Sequence, residues 1–164
     1  MKILSGLCNQ ARMLSGVRRR AALGRNEEGG ALVELALTVP VMLGLITAIV
    51  TFGITFSNQV TLTQAVGSAG QYLSQIRSST TNPCADTYTA LTNAAPGLSA
   101  SNISLTVTMN GSKNTGNTCS GKQTELIQGG PVTVYATYPC TLSIYGVSFA
   151  SGCELTAQVT EYEY

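Results

Sequence analysis

Two groups of residues in this chain have types and spacing that could do chemistry. The first is Gly29, Gly30 and Glu34: a peptide bond between two small residues, followed by a single carboxylate five positions after Gly29. The chemistry there is hydrolysis of the Gly29–Gly30 bond, which would create a new α-amino group, and pairing of an amine with Glu34. In a helix Gly30 and Glu34 stand about 6 Å apart along the axis. A carboxylate at the head of an apolar helix is costly unless it finds a partner or snorkels to the headgroups. The second group is Cys84, Cys119, Cys140 and Cys153, an even set of thiols that oxidation could join. Four cysteines allow three pairings. Cys84–Cys119 and Cys140–Cys153 are favoured as local closures, and the absence of CxxC spacing speaks against a metal-binding set. Cys8 stands apart from these four.

Other chemistries drop out. The 164 residues include no His and no Trp. Ser-His-Asp and Cys-His catalysis are therefore impossible, as are zinc sites that need His. A net charge of +1 argues against nucleic acid as a partner. No phosphate loop or paired-carboxylate arrangement stands out. The sequence implies no enzyme, no metal and no cofactor.

The element that must position Glu34 is a long apolar run. Leu35 to Phe56 reads LALTVPVMLGLITAIVTFGITF, without a charge. As a helix it would extend roughly 33 Å, enough to cross a hydrocarbon core. Pro40 near its start is tolerated in a membrane helix. A cleaved secretory signal fits less well, because its apolar region is usually about 7–15 residues. The basic residues Lys2, Arg12, Arg18, Arg19, Arg20 and Arg25 all precede the run, and the next, Arg77, follows well after Phe56. The positive-inside rule places residues 1–29 in the cytoplasm and the C-terminal part outside. Cys8 on the reducing side and four cysteines on the oxidising side agree with that orientation.

Gly29 followed at the fifth position by Glu34, between a basic leader and an immediate membrane run, resembles the class-III prepilin processing signal. The stretch GGALVELALTVPVMLGLITAIVTFGITF resembles the TadE/TadG-like family of minor pilins, or pseudopilins, of the tight-adherence (Tad) pilus. Val33, Glu34, Leu35, Ala36, Leu37 and Pro40 carry the likeness, with Leu35 where the family has an aromatic residue. The resemblance covers residues 25–75. It implies a prepilin peptidase that cuts after Gly29 and leaves the helix attached. It further implies assembly with other Tad pilins and the inner-membrane Tad machinery, in contact with membrane lipid. Glu34 is then position five of the mature chain and sets the register of assembly.

Beyond the span, Leu62, Ala65, Val66, Ala69, Leu73 and Ile76 trace one face of a continuing helix. The stripe is broken at Gln59, where it should join the span. Gly67 and Gly70 weaken that helix by roughly 1 kcal/mol each relative to Ala. Ser78–Pro83 reads as a linker, and Asp86 as the cap of a short helix through about Ala95. Ile103, Leu105, Val107 and Met109 alternate as a strand that Asn110-Gly111-Ser112 breaks. Residues 111–124 read as a loop. Val132–Tyr138 and Leu155–Val159 alternate again, with a weaker strand over Thr141–Phe149.

The expected fold class is α+β: a long N-terminal transmembrane helix extending outward, then a small disulfide-linked antiparallel sheet domain. The expected organisation is a basic cytoplasmic leader (1–29), a transmembrane helix (30–57), a helical extension (58–77) and an extracytoplasmic α+β domain (78–164). Gly44, Ala48, Thr51 and Thr55 form a small-residue line on the span that permits close approach of another helix. The leading expectation is a cleaved minor pilin of a bacterial inner membrane. The alternative is an uncleaved single-span envelope protein whose outer domain binds a ligand or partner.

Overall fold

A computed structural model describes residues 27–77, 79–144 and 146–164. Cys8 and the rest of the basic leader before Glu27 lie outside them. The chain divides into two compact units, Met1–Met42 and Leu43–Tyr164. The described part of the first is the N-terminal portion of helix α1 (Glu27–Leu73), with Pro40 inside it. Its large side chains, Leu32, Val33, Leu35, Leu37 and Val41 among them, are exposed. Pro40 has no N–H to donate to the carbonyl four residues back, and the helix continues through it.

The second unit holds the rest of α1, a short helix α2 (Pro83–Ala94) and six strands: β1 (Ser104–Met109), β2 (Ser112–Thr115), β3 (Pro131–Pro139), β4 (Ser143–Ile144), β5 (Val147–Ser148) and β6 (Glu154–Tyr162). Four of them make an antiparallel sheet in the order β2-β1-β3-β6, while β4 and β5 pair as a separate hairpin. Register follows from the alternation. Leu105, Ala136 and Ala157 lie side by side across β1, β3 and β6, as do Val107, Val134 and Val159. One face of the sheet is therefore apolar, and the other carries Thr106, Thr108, Thr133, Tyr135 and Gln158.

The apolar face closes onto α1. Leu62, Ala65, Val66, Ala69 and Leu73 are buried with Leu91 of α2 and the inward rows of the sheet. The spacing of the helical stripe thus reads correctly, but the helix stops at Leu73, short of Arg77. Ile76 reaches the core from a turn. Gln59 does not break the stripe. Its side-chain Nε2 donates to the Thr156 carbonyl at 2.9 Å, so a polar residue bonds to strand β6 where an apolar one would have packed.

Three local expectations need correction. Asp86 is not the cap of α2. Asn82 is, accepting from the Ala85 N–H, with Pro83 opening the first turn, and Asp86 instead accepts a hydrogen bond from the Thr80 hydroxyl. Residues 111–124 are not simply a loop. Asn110 and Gly111, at φ 47° and 85°, form the two-residue turn that suits a right-twisted hairpin, and β2 follows, paired to β1 from Met109↔Ser112 to Thr106↔Thr115. Thr141–Phe149 is not one strand but the β4–β5 hairpin.

Gly67 and Gly70 are not equivalent. A Cβ at Gly67 would meet nothing within 4 Å, whereas one at Gly70 would run into Cγ1 of Val159. The helix can lie this close to β6 only because Gly70 lacks a side chain. Gly70→Ala is expected to destabilise the domain by about 1–3 kcal/mol through overpacking. Gly67→Ala is expected to stabilise it by about 0.5–1 kcal/mol. Thermal unfolding of the two variants in detergent micelles checks the opposite signs, and equal shifts would disprove the close approach.

Candidate assembly helix and sheet domain

Gly29, Gly30 and Glu34 all lie in α1. Gly30 has open space around it and Glu34 is exposed. Four residues apart on one helix, they share a face. Between Gly30 and Ile76 the sequence holds no other charged residue. α1 is long and apolar enough to cross a membrane, and its most apolar stretch is unburied.

The polar side chains in that stretch are bonded within the helix. Thr38 donates to the Leu35 carbonyl at 3.2 Å, Thr47 to Leu43 at 2.8 Å, Thr51 to Thr47 at 2.8 Å and Thr55 to Thr51 at 3.0 Å. These four are every hydroxyl between Leu35 and Phe56. Each is satisfied without water, as a hydrocarbon surrounding demands. Thr51 and Thr55 thus matter for more than their size, since a helical Thr hydroxyl can reach the carbonyl one turn back.

The small-residue line has a different neighbour from the one its spacing suggests. Gly44, Ala48, Thr51 and Thr55 are half-buried, where most of the large side chains of the span are exposed. Ala48, Thr51 and Phe52 line a groove with Leu142 and Phe149, which flank the β4–β5 hairpin. The Thr51 hydroxyl also lies 3.4 Å from the Ser143 carbonyl. At this end of the line the close approach is to the chain's own hairpin.

The four cysteines form two disulfides. Cys84–Cys119 joins the first turn of α2 to the loop after β2, with Cα atoms 5.3 Å apart. Asn82 supports the same junction, since its Oδ1 also accepts from the Cys119 N–H at 2.8 Å. Cys140–Cys153 joins the end of β3 to the start of β6, with Cα atoms 5.2 Å apart, and closes the loop that carries β4 and β5. Among the described residues no group of three His, Cys, Asp or Glu could hold a metal ion.

Two carboxylates in this domain are perturbed. The Lys122 ammonium, 2.6 Å from Glu125, and the Asn114 amide hold the Glu125 carboxyl below its ordinary value. Burial pushes the Glu163 carboxyl up, against the opposing charge of Arg77. Glu163 is 4% exposed, and neither carboxylate oxygen has a hydrogen-bond partner among the described residues.

Residues 29–70 match the family model described as TadE-like protein. The interval opens at the residue before Gly30 and closes at Gly70, where α1 lies against β6. It suggests a protein associated with the Tad pilus. No curated protein and no solved structure matches the chain.

The raised Glu163 gives a pH dependence with a definite sign. The folded state holds the Glu163 proton more tightly than the unfolded chain does. Its contribution to stability is therefore fully present below the ordinary value of 4.5 and is lost as pH rises through the folded value. Glu163→Gln is expected to raise the unfolding midpoint at neutral pH. The gain should shrink toward zero as pH falls below about 4.5. Midpoints of both proteins across that range test this, and a gain that did not vary with pH would contradict it.

Proposed function

We propose that this protein is a minor pilin, or pseudopilin, that takes part in assembly of a Tad-type pilus. The observation that carries the reading is the TadE-like match over residues 29–70, on a helix whose single charge between Gly30 and Ile76 is Glu34. In this reading the chain is inserted by its apolar helix with the basic leader in the cytoplasm, as the placement of Lys and Arg favours. The sheet domain then stands outside the inner membrane, where its two disulfides persist. A prepilin peptidase cuts between Gly29 and Gly30. The matured helix joins other Tad pilins through the inner-membrane machinery.

The role of each residue follows from its chemistry. Gly29 and Gly30 leave the scissile bond uncrowded. Cutting creates a positive amine on Gly30, four residues from the Glu34 carboxylate. A neighbouring subunit's amine that docks on Glu34 fixes the axial register between the two helices, because an unpaired charge in a low-dielectric bundle is expensive. The apolar side chains exposed around α1, such as Leu37, Leu45, Ile49 and Phe52, then serve lipid before assembly and neighbouring helices after it.

Two outcomes test the reading. The mass and N-terminal residue of the membrane-extracted protein should correspond to a chain beginning at Gly30 in peptidase-positive cells, and replacing Gly29 by a bulky residue should preserve the longer form. A wild-type N-terminus still at Met1 would favour an uncleaved single-span envelope protein. Glu34→Ala should abolish surface pili without lowering membrane insertion or cleavage, since loss of a charge makes the span more apolar. Cleavage, membrane level and pili are scored together in that variant. Normal pili would remove the registry role, and Glu34→Gln is expected to keep part of the function through hydrogen bonding alone.

A further inference from the structure

The Cys140–Cys153 loop is not used by the reading above. It contains the β4–β5 hairpin, which forms a sheet separate from the main one and, among the described residues, pairs only within itself. Val147 and Phe149 on it are 59% and 68% exposed. In a water-soluble domain such side chains would be the first to turn inward. From Leu126 to Cys153 the sequence carries no charged residue, a second uncharged stretch after that of the span.

The neighbour of this hairpin identifies its surroundings. Leu142 and Phe149 share a groove of about 250 Å³ with Ala48, Thr51 and Phe52 of α1. Those three residues precede Phe56, the end of the apolar run, by eight, five and four positions, or roughly 12, 7.5 and 6 Å along a helix. Whatever surrounds the last turns of the run surrounds the hairpin as well. If α1 crosses a bilayer, the hairpin lies within the outer part of one leaflet, among the first carbons of the acyl chains and the ester region.

We propose that the disulfide-closed β4–β5 loop is a membrane-seated finger, which inserts Val147 and Phe149 into the phospholipid leaflet on the side of the sheet domain. The proposal rests on α1 being a membrane span. The chemistry suits that depth. Val147 and Phe149 are apolar and Ser143 and Ser148 uncharged, and pairing between Ser143↔Ser148 and Ile144↔Val147 satisfies the inward backbone groups of the two strands, while the ester region can meet the outward ones. The Cys140–Cys153 bridge, reinforced by the Cys140 N–H donating to the Cys153 carbonyl at 3.1 Å, fixes the base of the finger where β3 ends and β6 begins. The finger sets how deeply the domain sits and which side of α1 faces lipid, because the covered side is that of Ala48 and Thr51.

Tryptophan fluorescence tests this directly, since the chain has no native Trp. Phe149→Trp and, separately, Val147→Trp are made in the full-length protein. A span control, Ile46→Trp, is made alongside them. Each is reconstituted in phosphatidylethanolamine/phosphatidylglycerol vesicles at a large excess of lipid, with brominated acyl chains carrying the quencher near the ester or near the terminal methyl. Both hairpin variants are expected to emit blue-shifted and to lose most of their intensity to the shallow quencher, with less loss to the deep one. The span control should be quenched whichever lipid is used. A quenched control with unquenched hairpin tryptophans overturns the finger while leaving the span intact. An unquenched control overturns the span and the finger together. Blue-shifted hairpin emission that escapes lipid quenching and strengthens as protein is crowded would give the groove to a second copy of the chain, and would also overturn the proposal.

Discussion

The hydrocarbon core of a bilayer offers no hydrogen bonds, so a chain that enters it must satisfy its polar groups by itself. That constraint accounts for most of what is unusual in α1. A helix answers it for the backbone, and the four threonines of the run answer it for the side chains by bonding to carbonyls three or four residues back. Glu34 carries the one charge in the sequence between Gly30 and Ile76. Its exposure on a stretch otherwise without charge concentrates the electrostatics of about forty residues on one carboxylate. Any partner that brings a positive charge to that position gains far more than it would at a water-exposed surface.

The same helix must then change solvents. Up to about Phe56 the large apolar side chains stand outward on most sides. From Leu62 onward only one face stays apolar, and it is buried against the sheet. Between them, Thr55, Asn58 and Gln59 are half-buried, neither fully lipid-like nor core-like. Gln59 makes the junction work by giving its amide N–H to a carbonyl of β6. Further along, Gly70 lets the helix axis come close to Val159, which brings the small core residues Ala65, Ala69, Ala136 and Ala157 within reach of one another. A core built largely of Ala, Val and Leu buries little area per residue. The two disulfides therefore matter, since a disulfide typically contributes about 2–4 kcal/mol.

What the sequence revealed and what it hid divide along the range of the interactions. Period-two and period-3.6 patterns depend only on which side faces the core, so β1, β3, β6 and the helical stripe could be read directly. β2 could not. Ser112-Lys113-Asn114-Thr115 holds no apolar residue, and an edge strand can afford a polar sequence with a lysine. The preceding Asn-Gly was the one available sign, a hairpin signal that reads as a break when only apolar alternation is sought. The choice of Asn82 over Asp86 as cap was legible in Pro83, which favours the first helical position and so fixes the cap one residue earlier. Gln59 and Gly70 were not legible in the same way. Each looks unfavourable in its own helix and is explained only by an atom of β6 nearly a hundred residues away. The types and spacing of Gly29, Gly30 and Glu34 were visible from the start. A helix supplies a common face for Gly30 and Glu34 but not a cut or a partner, because both depend on other molecules.

The matched interval and the remaining residues also obey different physical demands. Residues 29–70 must suit hydrocarbon and then a flat sheet face, which restricts them to apolar and small side chains with hydroxyls that bond locally. Residues after that need only close a small core and hold their loops. A four-stranded antiparallel sheet can meet that need with many sequences, since its ladder bonds are made by backbone. The helix is constrained along its length by its solvent, while the domain is constrained mainly where it touches the helix. Gly70, Val159, Gln59 and the stripe from Leu62 to Leu73 are those points of contact. They are the positions at which the sheet domain must answer to the demands of the helix.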